Sequence, residues 1–201
     1  MATLTIYLVN KAGDLSGRFD ASHRKACGDK LKAYFDATIT GVAKYTAAAV
    51  VWDGAASAPT ATDFVCYLLT SPADSIVATK GTGTITLGPS GSTLLSVTDK
   101  AVVSEVYLRQ IVQGGDPRAN ATTNRETLVA NCIMHELAHN LLDATTPHIL
   151  DVHKLKDGVI CRDTDGNALT GTDAPGAADN TAFQTGFNRR AAGVKQYTGA
   201  M

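Results

Sequence analysis

The sequence predicts an α+β domain, and three observations support this fold class. Hydrophobic residues make up 44% of the 201-residue chain and charged residues 18%, as in globular domains. Short runs rich in β-branched and aromatic residues recur over the first 112 positions, which is typical of strands. Two longer segments, about 21–36 and 127–143, instead repeat apolar residues every three or four positions, which is typical of helices.

Six strands are predicted from this composition and from the turn residues that bound each run. They cover residues 4–9, 47–52, 64–69, 82–87, 93–97 and 101–112. The third is an unbroken apolar run, which indicates burial on both faces of a sheet. The fourth and fifth flank a Gly-Pro-Ser-Gly-Ser loop and therefore predict a hairpin.

Helices are predicted after the first strand and after the last. The first covers about 21–36, with Asp20 or Ser22 as its N-cap. The central helix, over about 127–143, follows the run Thr-Asn-Arg-Glu at 123–126, which has capping-box form. It is apolar around most of its girth, which indicates a buried helix. A last helix begins at Asn180 or Thr181 and has two phenylalanines four positions apart on its inner face.

The central helix carries the pentad His135-Glu136-Leu137-Ala138-His139. Two histidines four positions apart lie on one helix face, so both imidazoles can reach the same metal ion. Unpaired charge is costly in a protein core, and a shared metal explains why ionisable residues stand there. Glu136 is the residue type that deprotonates a metal-activated water. The pattern therefore predicts a catalytic Zn²⁺ site with Glu136 as general base.

A catalytic zinc needs a third protein ligand in addition to His135 and His139. Asp143 continues the spacing, but residues eight apart on a straight helix are separated by about 12 Å of axial rise. A proline at 147 favours a turn of the chain after the helix. We therefore predict His148, which follows at once, as the third ligand. Asp151 and His153 are the alternatives from the same stretch.

The order of elements and the hexad His-Glu-Leu-Ala-His-Asn at 135–140 resemble the metzincin group of zinc endopeptidases, or zincins. The resemblance implies a zincin-like fold, with a mixed twisted sheet over an N-terminal helix and the HExxH helix. It also implies that an edge strand, here 103–110 or one strand of the hairpin, binds an extended substrate. The metzincin continuation HExxHxxGxxH is replaced, because Leu142 and Thr145 occupy its glycine and third histidine positions.

A second resemblance is to the aspzincins, which use an aspartate as third ligand. The stretch Ala-Ala-Asp-Asn-Thr-Ala-Phe at 177–183 is similar to one of their motifs, and Gly171-Thr172-Asp173 matches part of their ligand box. This resemblance favours Asp151 or Asp173 as the third ligand, so the choice between these residues and His148 stays open.

Composition limits the partners of the chain. The formal net charge is −1 and no basic run stands out, so we expect neither nucleic acid nor a membrane surface as partner. The apolar runs are shorter than a membrane span, and the N-terminus carries no visible secretory signal. We expect a soluble protein, either cytoplasmic or secreted with its signal already removed. We also expect a monomer with one domain over 1–201, divided into subdomains at 1–143 and 144–201.

Four cysteines are widely spaced and form no CxxC pair. Two disulfides or four thiols fit this spacing, and the apolar settings of Cys66 and Cys132 favour buried thiols.

Taken together, the residues predict a zinc-dependent endopeptidase acting on protein or peptide substrates. The alternative is a zinc-binding structural or interaction protein whose HExxH site does not catalyse.

Overall fold

The computed structural model describes residues 2–53, 59–60, 63–81, 87–88, 91–95, 101–112, 125–142, 177–189 and 195–199. In this part the fold is mixed α/β, with a mostly parallel sheet and helices. The strands are β1 Ala2–Asn10, β2 Tyr45–Trp52, β3 Phe64–Leu69, β4 Gly91–Leu95, β5 Ala101–Tyr107 and β6 Lys195–Gln196. The helices are α1 Ala21–Ile39, α2 Ile76–Lys80, α3 Leu108–Val112, α4 Arg125–Leu142 and α5 Ala177–Arg189.

The strand order along the sheet is β2-β1-β3-β5-β4, and β6 pairs with β5 outside that path. Only β4 runs antiparallel to its neighbour among the described strand pairs, with Gly91 opposite Val106. Because β4 stands at the end of this order, it is an edge strand among the described strands. Strand β5 lies between β3 and β4, so the prediction that 103–110 forms the edge is wrong and the hairpin-strand alternative remains.

Side-chain alternation divides the core between the two faces of the sheet. On one face, β-strand residues such as Leu8, Cys66 and Val106 pack with the buried stripes of α1 and α4. On the other face, Tyr67 and Tyr107 pack in a second cluster together with residues of α2. All six residues of β3 are buried, which confirms the burial predicted from its unbroken apolar run.

Helix α1 begins where the sequence predicts it. The Asp20 carboxylate accepts hydrogen bonds from the backbone N–H groups of Ser22 (2.9 Å) and His23 (3.1 Å), so Asp20 rather than Ser22 is the N-cap. Hydrogen bonds from the Ser22 side chain and from His23 hold the pKa of Asp20 well below its ordinary value. The helix buries Leu31 and Phe35 against the sheet.

The structure departs most from the predicted elements at residues 101–112 and at the predicted hairpin. The run 101–112 is not one strand, because the chain leaves the sheet after Tyr107 and forms α3. In α3, Leu108, Ile111 and Val112 are buried at helical spacing, which the β-rich composition of the run concealed. Strand β4 starts at Gly91, inside the predicted hairpin loop, and residues 82–86 of the first hairpin strand lie outside the described residues.

Helix α4 is the centre of the packing. It contacts α1, α3 and α5 as well as β3, β4 and β5, and residues 127–138 are all buried. Helix α5 adds Phe183 and Phe187 to the same core, as predicted, although it begins at Ala177. Within the described part of the chain, no helix combines the length and apolar character required to cross a membrane.

Candidate metal centre

The pentad lies in the last two turns of α4, where the helix passes beneath β4 and β5. His135 is 3% exposed and Glu136 is 4% exposed, while His139 is partly buried. Apolar neighbours on the same helix, including Leu137 and Ala138, are fully buried and fix its rotation against the sheet. The three ionisable side chains are therefore held in position by the core.

The two histidines converge on one point. Their Nε2 atoms are 3.2 Å apart and their rings are nearly perpendicular, with centroids 4.8 Å apart. Two nitrogens bonded to one tetrahedral zinc at about 2.0–2.1 Å lie about 3.3 Å from each other. The separation of His135 and His139 thus matches that of two ligands on one ion, and neutral imidazole suits zinc. The two side chains fit a zinc ion.

Glu136 is held against strand β4. The Thr93 hydroxyl lies 2.8 Å from Glu136 Oε2 and 2.9 Å from the Glu136 backbone oxygen. Two residues earlier on the same face of β4, a Cβ added to Gly91 would lie 2.8 Å from the Cγ and Oε1 atoms of Glu136. Strand β4 therefore leaves space for the Glu136 side chain at Gly91 and binds that side chain at Thr93.

Buried polar side chains continue from Thr93 away from the pentad. The Thr93 hydroxyl lies 3.1 Å from that of Ser104, its cross-strand partner on β5. The Asn140 amide donates to Ser104 Oγ at 2.9 Å and to Gln196 Oε1 at 2.9 Å. The Gln196 amide in turn donates to Asn140 Oδ1 at 3.1 Å. Glu136 is thus linked to β6 through side chains from four elements.

The described part of the chain brings two candidate ligands together, His135 and His139. In that part, no group of three or more His, Cys, Asp or Glu side chains is arranged to hold a metal ion. The predicted ligand His148 lies outside the described residues, as do the alternatives Asp151, His153 and Asp173. Those four assignments therefore remain predictions.

For the second oxyanion donor that peptide hydrolysis requires, the sequence offers Tyr197 and His153, and His153 lies outside the described residues. The Tyr197 ring packs 5.9 Å from that of Tyr67, within the cluster on the sheet face opposite α4. That face is opposite the helix of the pentad, which argues against Tyr197 as the oxyanion donor.

Three thiols lie in the core and are not bonded as disulfides. Cys27, Cys66 and Cys132 are buried thiols, which confirms the prediction for these three, while Cys161 lies outside the described residues. Burial raises the pKa of Cys66 well above its ordinary value, and the charge of Glu136 raises it further.

Sequence reasoning missed the residues around Glu136, namely Gly91, Thr93, Ser104, Asn140 and Gln196. A buried asparagine on a helix that is apolar around most of its girth is the one sequence signal that pointed to them, because buried amides require partners. The other four are common residue types in strands and loops, and only the register of β4 on β5 brings them to the pentad.

Comparison with protein-family profiles, curated proteins and solved structures found no match.

Proposed function

We propose that this chain is a zinc-dependent endopeptidase with a zincin-like fold. The observation that carries the proposal is the 3.2 Å separation of the His135 and His139 Nε2 atoms, with Glu136 buried beside them on one helix. A zinc ion would be held by these two histidines and by a third residue, for which we propose His148. When bound, the metal would polarise a water and the carbonyl of a peptide bond.

The sheet supports the resemblance to the metzincin group. One of its two edges among the described strands is the antiparallel strand β4, which contacts the helix that carries the pentad. That order matches the mixed sheet and substrate-binding edge implied by the resemblance. An extended peptide would pair with the outer backbone groups of β4, which gives affinity with little dependence on side-chain sequence.

The chain's own residues divide the chemistry between them. Glu136 would hold a water and accept its proton, and the same carboxyl group would then deliver that proton to the leaving amine. Thr93 fixes one carboxylate oxygen, so the side chain does not have to reorganise during the reaction. The burial of Glu136 excludes bulk water from the proton transfer.

The glutamates provide a matched test, because the chain has only three. Purified protein is assayed for zinc content and for cleavage of casein. Glu136→Gln is expected to retain zinc and to abolish cleavage, because an amide cannot accept the proton. Glu126→Gln makes the same chemical change on the first turn of α4, next to His23 rather than the pentad, and should leave both zinc and cleavage unchanged.

Two other outcomes count against the proposal. Zinc binding by the wild-type chain without cleavage of any peptide would favour the alternative, a zinc-binding structural or interaction protein. Unchanged cleavage in Glu136→Gln would reject the general base.

Loss of zinc in His148→Ala but not in Asp151→Ala identifies His148 as the third ligand, and the opposite pattern replaces His148 by Asp151.

A further inference from the structure

The C-terminal strand β6 occupies an unusual position in the sheet. Its two residues pair in parallel with Ala101 and Val102 at the start of β5. Its Gln196 side chain is 5% exposed, and its Oε1 atom accepts a hydrogen bond from the backbone N–H of Val65 on β3 at 3.2 Å. Strand β6 thus connects β3 and β5 where these two strands are not paired with each other.

Gln196 also reaches the helix of the pentad. Its amide and that of Asn140 exchange hydrogen bonds of 2.9 Å and 3.1 Å. Because the Val65 N–H requires the oxygen of Gln196 at its end, this pairing also fixes which end of the Asn140 amide carries the NH₂ group. Asn140 directly follows His139 on α4. Both amides are buried, where polar groups without partners are costly, so each side chain is required by the other.

The donors along these side chains point in one direction. The Thr93 hydroxyl has one proton, and both acceptors at 2.8–2.9 Å belong to Glu136, whose carboxylate and carbonyl oxygens can only accept. The Asn140 amide donates to Ser104, which leaves the Ser104 proton for Thr93. Each hydroxyl therefore accepts from one neighbour and donates to the next, an order in which hydrogen bonds strengthen one another.

We propose that β6 is a positioning strand for the candidate general base, acting from Gln196 through Asn140, Ser104 and Thr93 on Glu136. The inference rests on the proposed peptidase function. It adds that a strand far from the pentad in sequence controls this activity. None of the four linking residues is placed against substrate or metal, so they are positioning residues. Displacement of β6, by a partner or by cleavage of the segment that carries it, would lower turnover while the histidines keep their metal.

The first test uses substitutions that remove polar groups and preserve shape. Thr93→Val is expected to lower kcat by about tenfold, the lower end of the range for residues that orient a site from the next layer. Gln196→Leu should lower kcat in the same direction by a smaller factor. Zinc affinity and KM should not change in either variant. Thr93→Ser restores the hydroxyl and should restore kcat, which a purely steric role would not predict.

A matched control removes a buried threonine hydroxyl elsewhere. Thr38 on α1 is fully buried, and its hydroxyl bonds the Tyr34 carbonyl at 2.7 Å and Asn180 Oδ1 at 3.0 Å, away from the pentad. Thr38→Val should lower the unfolding midpoint without changing kcat. An equal fall of kcat in Thr38→Val would mean that any buried hydroxyl matters, and the inference would be overturned.

The decisive measurement is a double-mutant cycle on kcat. Thr93 and Gln196 share no hydrogen bond, and Ser104 and Asn140 stand between them. If Gln196 acts only through Thr93, the double variant has the kcat of Thr93→Val alone, because the route is already broken. Multiplicative effects of the two substitutions would show independent actions and overturn the inference.

A second measurement separates this inference from the peptidase proposal. Co²⁺ replaces zinc, and its visible absorption reports the groups around the open coordination position. Thr93→Val and Gln196→Leu should shift the spectrum in the same way, even in a wild-type chain that cleaves no peptide. Identical spectra in the wild-type chain and both variants would overturn the positioning role, whatever the activity of the wild type. Failure of the wild-type chain to bind either metal would overturn both proposals.

Discussion

Two buried glutamates, Glu105 and Glu136, lie on opposite faces of the same sheet in different surroundings. The Glu105 carboxylate is fully buried and accepts hydrogen bonds from the hydroxyl groups of Ser75 and Tyr107 and from the backbone N–H groups of Ile76 and Val77. Each of its oxygens takes two of these four donors, which fills the acceptor sites of a carboxylate. Glu105 thereby fixes the start of α2 and has no site left for a water.

Glu136 is instead bound by a threonine on a neighbouring strand and stands beside two converging imidazoles. The donors of Glu105 lie on its own strand and on the start of α2, whereas the side chains linked to Glu136 come from β4, β5, α4 and β6. Burial therefore does not by itself indicate chemistry. The carboxylate saturated by neighbouring donors supports the fold, and the one that follows His135 on the helix of the paired histidines is the candidate base.

The largest expected effect separates the two carboxylates by activity. Glu136→Gln should lower kcat/KM for a peptide substrate by at least about 100-fold, the contribution of a positioned general base. Glu105→Gln should leave kcat/KM unchanged at temperatures where the variant is folded. Both are measured with a fluorogenic peptide library, and comparable losses in the two variants would remove the distinction.

The second expected effect is on stability, where the substitution of Glu105 should cost more than that of Glu136. Glu105→Gln should lower the free energy of unfolding by about 3 kcal/mol. The buried donors lose a charged acceptor, and the NH₂ group of the new glutamine faces donors instead of accepting from them. Glu136→Gln should lower it by less than about 1 kcal/mol, since its amide oxygen still accepts from Thr93. Urea unfolding of the metal-free proteins at pH 7 provides both values. A larger loss in Glu136→Gln would contradict the assignment of Glu105 as the structural carboxylate.

Gly91 lies against both glutamates. A Cβ at this position would lie 2.5 Å from the Glu105 backbone oxygen as well as 2.8 Å from Glu136. Gly91→Ala should therefore displace β4, lower stability by about 2 kcal/mol and reduce activity. Gly28→Ala is the control, because its Cβ would meet only side-chain atoms, at 3.0 Å or more, and alanine favours helix. Thermal unfolding and peptide cleavage compare the two variants.

Tyr107 gives the smallest expected effect, and it depends on pH. Burial and the hydrogen bond to Glu105 raise the pKa of Tyr107 above its ordinary value near 10. A raised pKa in the folded state means that the stabilisation is fully present below about pH 10 and is lost as the pH rises further. Tyr107→Phe should lower stability by about 1.5 kcal/mol at pH 8 and flatten the decline above pH 10. Urea unfolding at several pH values checks both effects.

Much of the fold follows from local sequence, because the relevant forces are local. Phe64–Leu69 is apolar at every position, and Asp20 precedes a helical stripe. The convergence of His135 and His139 is predictable because four positions on a helix fix the spacing of two imidazoles. By contrast, the contact of Thr93 with Glu136 depends on the register of β4 and on its packing over α4. No local pattern contains that information.

Strand β6 has a consequence for the order of folding. Gln196 lies 56 positions from Asn140 and 131 positions from Val65 along the chain, so its contacts close very long loops. Loop-closure entropy delays such contacts, and we expect β6 to dock after the rate-limiting step. Gln196→Leu should then accelerate unfolding and leave the refolding rate unchanged in stopped-flow measurements. A newly made chain would bury its helices first and align its candidate base last.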